Sequence, residues 1–201
     1  MQPLSTKLDH QIDETDRLRS QIYRLFARCL ASAPDARLLE ILGGLNGDDS
    51  ELGSALGEMA MAASQTELHA AQDEYHDLFI GVGRGELLPY GSYYLTGFLN
   101  EKPLARLRND MADLGIERNP DVHEPEDHAG ALMEMMAGLI EGEFNAPLSH
   151  QEQHRFFEKH LNSWLPHFFG DLEKARKAVL YRPLGRAGRL FMDIENAAFA
   201  M

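Results

Sequence analysis

The sequence predicts an all-α fold, a single helical bundle of about ten helices. Two observations carry that reading. Valine, isoleucine and threonine together supply 14 of 201 residues, whereas leucine alone supplies 29 and alanine 22. Sheets draw on the first group and helices on the second. Apolar residues also recur at three- and four-residue intervals between Gly and Pro breaks, the spacing of one helix face.

The elements follow in order. Asp13, Glu14 and Asp16 suit the positive end of a first helix running from about Asp13 to Ala31, with Leu18, Ile22, Leu25 and Cys29 on one face. Pro34 stops it or opens the next short helix, over 35–42, which ends at Gly43-Gly44. A small-residue helix is expected over 48–62. Ser64 and Glu67 have the form of a capping box, with Leu68, Ala71, Tyr75 and Leu78 as the stripe behind it. Gly81 breaks that helix, and 81–92 is a glycine-punctuated loop. A short apolar turn or helix occupies 93–99. Pro103 opens a helix carrying Leu104, Leu107, Met111 and Leu114, which Gly115 closes.

Residues 116–125 carry two prolines and no periodicity, and form the candidate hinge or linker between helical parts at about 1–115 and 126–201. Such a linker would also permit a domain-swapped dimer in place of a monomer. After it, His128, Leu132, Met135 and Leu139 make one apolar row, and Ala129, Met133, Met136 and Ile140 a second, as in a central helix. Ser149 with Glu152 is another capping box, leading to Phe157, Leu161 and Trp164. Pro166 kinks or restarts the chain before Phe168, Phe169 and Leu172. Pro183 opens the last helix, with Leu184, Ala187, Phe191, Ile194 and Ala198 inward.

Charge bounds the partners. Lys+Arg 19 against Asp+Glu 32 gives a formal net charge of −13. That disfavours nucleic acid and anionic membrane surfaces, and favours a cationic partner or simple solubility. The single cysteine, Cys29, excludes an internal disulfide and any multi-cysteine metal site. The first twelve residues, MQPLSTKLDHQI, hold no apolar run of signal-peptide length, and no eighteen-residue apolar stretch follows. The expected location is the cytoplasm.

Enzyme motifs fare poorly. Gly81-x-Gly83-x-Gly85 lacks the dinucleotide-loop spacing, follows a helix rather than a strand, and precedes no Gly-Lys-Ser/Thr. It reads as a plain loop. His150 and His154 share a helical face, but Glu152 is misplaced for a zinc-hydrolase motif and a third ligand is lacking, so no metal is expected. His123-Glu124-Pro125-Glu126-Asp127-His128 is denser. Its acids suit a helix start, with Asp127 placed to accept backbone N–H bonds. The Asp127–His128 pair reads either as a satisfied core pair or as part of a recognition site, where a carboxylate facing a groove would accept bonds from an arginine. Met111, Met133, Met135 and Met136, with Tyr75, Phe79, Tyr90, Tyr93 and Tyr94, fit a core and equally an adaptable peptide groove.

Three motifs then resemble a known family. E-Y-x-x-L-F-x-G (Glu74 to Gly81), P-Y-G-S-Y-Y (Pro89 to Tyr94) and E-P-x-D-H (Glu124 to His128), followed by His160, Trp164 and Phe168, resemble the TorD/DmsD redox-enzyme maturation chaperones in order and spacing. The resemblance implies an all-helical cytoplasmic chaperone without turnover, and no cofactor is expected. It implies binding of the twin-arginine leader, the apo form, or both, of a molybdenum-cofactor oxidoreductase before Tat export. The client would be a formate dehydrogenase or a DMSO- or TMAO-type reductase. It also implies a signal-peptide or client region comprising Tyr75, Leu78, Phe79, Pro89, Tyr90, Ser92, Tyr93, Glu124, Asp127 and His128. The rival readings are a helical adaptor that binds the apoenzyme body without reading a leader, as nitrate-reductase-type relatives do, and a nucleotide-dependent enzyme.

Overall fold

The computed structural model describes residues 12–201; residues 1–11, most of the segment examined for a targeting signal, lie outside them. Among the described residues there are ten α-helices and no strand. Helix α1 (Glu14–Ala31) starts where the Asp13 carboxylate accepts the Asp16 N–H at 2.7 Å. Its inward face is centred on Tyr23, Phe26, Ala27, Cys29 and Leu30; of the expected row Cys29 is buried and Ile22 and Leu25 pack half-buried against the core, while Leu18 is 56% exposed. The larger aromatic faces win the core, because they remove more apolar area from water.

Helix α2 (Ala36–Gly43) is capped by Asp35, which accepts the Leu38 N–H at 2.6 Å. Helix α3 (Glu51–Gln65) begins three residues later than expected, since Ser50 rather than Asp48 takes the cap and accepts the Gly53 N–H. Asp48 instead accepts from Ser50 itself. The Ser64/Glu67 capping box does not form: α3 runs on through Ser64, whose hydroxyl donates to the Ala60 carbonyl. Helix α4 (Leu68–Tyr75) widens into a π turn, His76–Ile80, and ends at Gly81 with φ +63°.

Helix α5 (Gly91–Thr96) starts two residues ahead of expectation and stops at Gly97. Helix α6 (Lys102–Leu114) ends at Gly115, φ +73°, as the sequence indicated. The 116–125 segment holds no helix, though Ile116 is buried. Helix α7 (Ala129–Glu141) is buried over ten of its thirteen residues. The Ser149/Glu152 capping box of α8 (His150–Phe157) is complete, and a π turn, Glu158–Asn162, leads to α9 (Leu165–Lys174). In α10 (Tyr181–Phe199) Leu184, Ala187 and Phe191 face inward as expected, but beyond them the buried row runs through Glu195 and Phe199, and Ile194 is 48% exposed.

Helix α1 packs on α7, and α10 on both α9 and α3. The two parts on either side of 116–125 thus share one core, centred on Tyr23, Phe26, Phe168, Phe169 and Phe191. Close approach of α10 to α9 depends on Gly188, where a Cβ would strike the Phe169 ring. The displaced α10 row has a specific cause. Glu195, 1% exposed, accepts both Arg19 Nε and Nη2 at 2.7 Å and the Tyr23 hydroxyl at 2.8 Å. A buried carboxylate is tolerated only with such partners.

Candidate peptide-binding site

The second and third motifs meet. The Ala129 N–H donates to the Pro89 carbonyl at 2.8 Å and the Gly91 N–H to the Asp127 carbonyl at 2.9 Å. Tyr90 and His128 therefore lie opposite each other in an isolated antiparallel bridge. Their rings meet edge to face at 5.2 Å. Gly91 lets the Trp164 ring pack close to the bridge, since a Cβ would stand 3.0 Å from Trp164 Nε1 and the ring would have to give by a few tenths of an ångström.

Asp127 does not serve the helix that follows it. Its Oδ2 reaches back to accept the Ser92 N–H at 2.6 Å, capping α5 instead. It is 3% exposed, and its Oδ1 and the Ser92 hydroxyl are buried without hydrogen-bond partners among the described residues. The helix-start role falls to His128, whose Nδ1 accepts the Gly130 N–H at 3.1 Å. That bond requires an unprotonated Nδ1. Burial agrees with it: desolvation pulls the imidazole down to about 4, against the upward pull of Glu124 and Asp127.

Glu124 is exposed and accepts the Tyr90 hydroxyl. Burial first, then this carboxylate, pushes the Tyr90 phenol up. Glu126 is buried against Arg108, which donates at 2.8 and 3.0 Å, with Arg118 at 3.5 Å. Burial alone would raise the Glu126 carboxyl; the hydrogen bond from Arg108 overrides it and holds the group below its ordinary range.

Beside this bridge lies a groove of about 400 Å³, walled by α1, the end of α6, the 116–124 segment and the start of α7. Its floor is apolar: Ala27, Ala31, Met111, Ile116, Gly130 and Met135. Its rim carries Glu117, Glu124, Glu126 and Glu134 against Arg28 and Arg118. Glu134 is paired with Arg24 at 2.5 Å, and Glu126 with its arginines, which leaves Glu117 and Glu124 as the outward carboxylates. Of the sequence candidates, Glu124 and His128 line the groove and Tyr90 touches both. The surface can take an apolar segment with cations beside it.

The other candidates stand behind or beside it. Leu78 is fully buried, and Tyr75 is 7% exposed with its hydroxyl donated to the Leu30 carbonyl. Phe79 packs on Tyr75, Phe168 and Tyr181. Pro89 and Ser92 are buried in the bridge, and Tyr93 accepts a hydrogen bond from Arg84 at 2.7 Å. The sequence offered no role for Glu74, whose carboxylate accepts the N–H groups of Val179, Leu180 and Tyr181 and so caps α10. Nor did it single out Ile116 and Glu117, which lack any motif and reach the groove only through the path of the chain. His150 and His154 lie against the Phe199 ring at 4.9 and 5.0 Å. The Gly81–Gly85 loop folds tightly on the π turn, where the Leu87 N–H donates to the Leu78 carbonyl at 2.8 Å.

Residues 45–170, which span all three motifs, match the family model described as nitrate reductase delta subunit. The chain belongs to that family. Within it, the similarity runs to the TorD/DmsD chaperones, as the motifs implied. The chaperone protein TorD of Vibrio parahaemolyticus is 28% identical over 89% of this chain and 93% of that protein. TorD of Vibrio cholerae is 31% identical over 65% of this chain, and the alignment spans only 61% of that relative. A crystal structure described as a redox enzyme maturation protein from Archaeoglobus fulgidus superimposes with TM-score 0.61 at 24% identity, over 88% of this chain and 94% of the other. It shares the all-helical fold. The relatives' names are those of chaperones, in agreement with a non-catalytic reading of the nitrate reductase delta subunit family member described here.

Proposed function

We propose that this chain is a redox-enzyme maturation chaperone that holds the apo form of a molybdenum-cofactor oxidoreductase and receives its twin-arginine leader in the groove beside the Tyr90–His128 bridge. One observation carries the reading. The P-Y-G-S and E-P-x-D-H motifs are joined by backbone hydrogen bonds at the edge of an apolar groove whose free rim charges, Glu117 and Glu124, are acidic. A leader offers adjacent guanidiniums followed by an apolar stretch. Guanidinium forks match carboxylates, and Met111 and Met135 adapt to apolar side chains of varied shape. A net charge of −13 speeds the encounter with a cationic segment. The cytoplasm, where precursors wait before Tat export, is the compartment this role requires.

Calorimetric titration with the leader of a neighbouring-gene molybdoenzyme, and with a scrambled peptide of equal charge, tests the reading. Tighter binding of the leader supports it; equal affinity would reduce the interaction to nonspecific attraction. The family description, nitrate reductase delta subunit, favours a second reading in which the apoenzyme body alone is bound. Under that reading, a client lacking its leader binds as tightly as the full precursor.

A further inference from the structure

The sign of the charge reverses in one region. Residues 174–189 hold six of the chain's 19 lysines and arginines and no acid, although the chain as a whole carries −13. Lys174, Arg182, Arg186 and Arg189 turn into an open cleft of about 870 Å³ between α3 and the α9–α10 corner. Two carboxylates line the cleft with them, Glu58 and Glu173, and Asp193, outside the lining, stands 3.7 Å from Arg189. Glu58 pairs with Arg186, and Glu173 accepts Arg189 Nε at 3.0 Å. Lys174 and Arg182 are exposed and make no ion pair among the described residues. Beside them Met61 is 63% exposed, an apolar side chain at the mouth of a basic cleft.

We infer that this cleft is a docking site for an acidic amphipathic segment of a partner protein. Lys174 and Arg182 meet its carboxylates, and Met61 meets its apolar face. Charge complementarity names the occupant, because the rest of the chain would repel such a segment while this cleft attracts it. The architecture argues against a small phosphate compound. Phosphates favour free backbone N–H groups at helix starts. Here those of Val179, Leu180 and Tyr181 are taken by Glu74, and those of Arg176 and Lys177 by Glu86. The same bonds fix the approach to α10, so the cations are presented from a held backbone and little ordering accompanies binding. The cleft shares no lining residue with the Glu124 groove, and its occupation requires nothing of the leader reading.

The test uses the full chain and a labelled synthetic helix bearing glutamates on one face and leucines on the other, followed by fluorescence anisotropy. The expected result is binding that weakens tenfold or more in the K174E/R182E double variant and is unchanged in Glu124→Gln. Both substituted cations are exposed, and circular dichroism on the same samples confirms the fold. No binding, equal affinity for the double variant, or equal loss in Glu124→Gln would overturn the proposal. Displacement of the peptide by inorganic phosphate at constant ionic strength would also overturn it, by making the cleft a small-anion site.

Discussion

The Asp127 carboxylate accepts the Ser92 backbone N–H at 2.6 Å, joining residues 35 apart in sequence at the start of α5. Asp127 thereby fastens P-Y-G-S to E-P-x-D-H and sets the edge of the groove from beneath, facing away from it. Its replacement by Ala leaves the Ser92 N–H buried and unpaired, at a cost of about 2 kcal/mol. Thermal melting should show the loss. A variant that melts like the parent would deny the bond its structural role.

The exposed acids of the rim should behave oppositely. Glu124→Gln and Glu117→Gln leave buried contacts in place, and each should weaken a leader peptide several-fold while the melting temperature holds. Raising the salt should erase part of the difference between parent and variants. Titration at two ionic strengths reads both effects.

Protonation of His128 should weaken the fold as the solution is acidified. Its folded pKa, about 4, lies below the ordinary 6.5, so the unfolded chain binds the proton more readily. The stabilising contribution is complete above 6.5 and is lost as the pH falls from there through about 4, by at most about 3 kcal/mol. His160, 7% exposed and likewise lowered by burial despite its bond to Asp110, acts in the same direction. Asn is a good helix cap, so His128→Asn should keep α7 and flatten the melting profile between pH 7 and 4.5. An unchanged slope would exclude His128 as a contributor.

Glu195→Ala should be the most damaging of these substitutions. It takes the acceptor from Arg19 Nε and Nη2, leaving that guanidinium only Asp16 and Gln153, and strands the Tyr23 hydroxyl between α1 and α10, at a cost of about 3 kcal/mol. Chemical denaturation of Glu195→Ala and Glu195→Gln would show the first far below the second, whose amide still accepts one bond.

What the sequence disclosed and what it hid divide along locality. The breaks at Gly81 and Gly115, the Ser149/Glu152 box and the doubly apolar α7 are set by neighbours a few positions apart, and the residues announce them. Capping at α3 turned on whether Asp48 or Ser50 took the helix start, and two adjacent cap formers give no local signal to choose. The inward row of α10 depended on Arg19, far away in the chain, which drew Glu195 in and left Ile194 out. Asp127 looked like a cap for its own helix, and its true partner, Ser92, lies on another element. Of the motif residues, Glu124 and His128 line the groove and Tyr90 borders it, the others lie behind or beside it, and the groove's floor at Ala27, Ala31 and Ile116 carries no motif and emerges only from packing.

The central claim is that a leader lies in the groove beside Tyr90 and His128. A leader peptide carrying a photoreactive residue just after its arginine pair, irradiated with the full chain and mapped by mass spectrometry, tests it most directly. The account predicts adducts on Met111, Val122 or Met135, lost when unlabelled leader is added in excess. Adducts on Met61 or elsewhere around the α3–α10 cleft, with none in the groove, would contradict it.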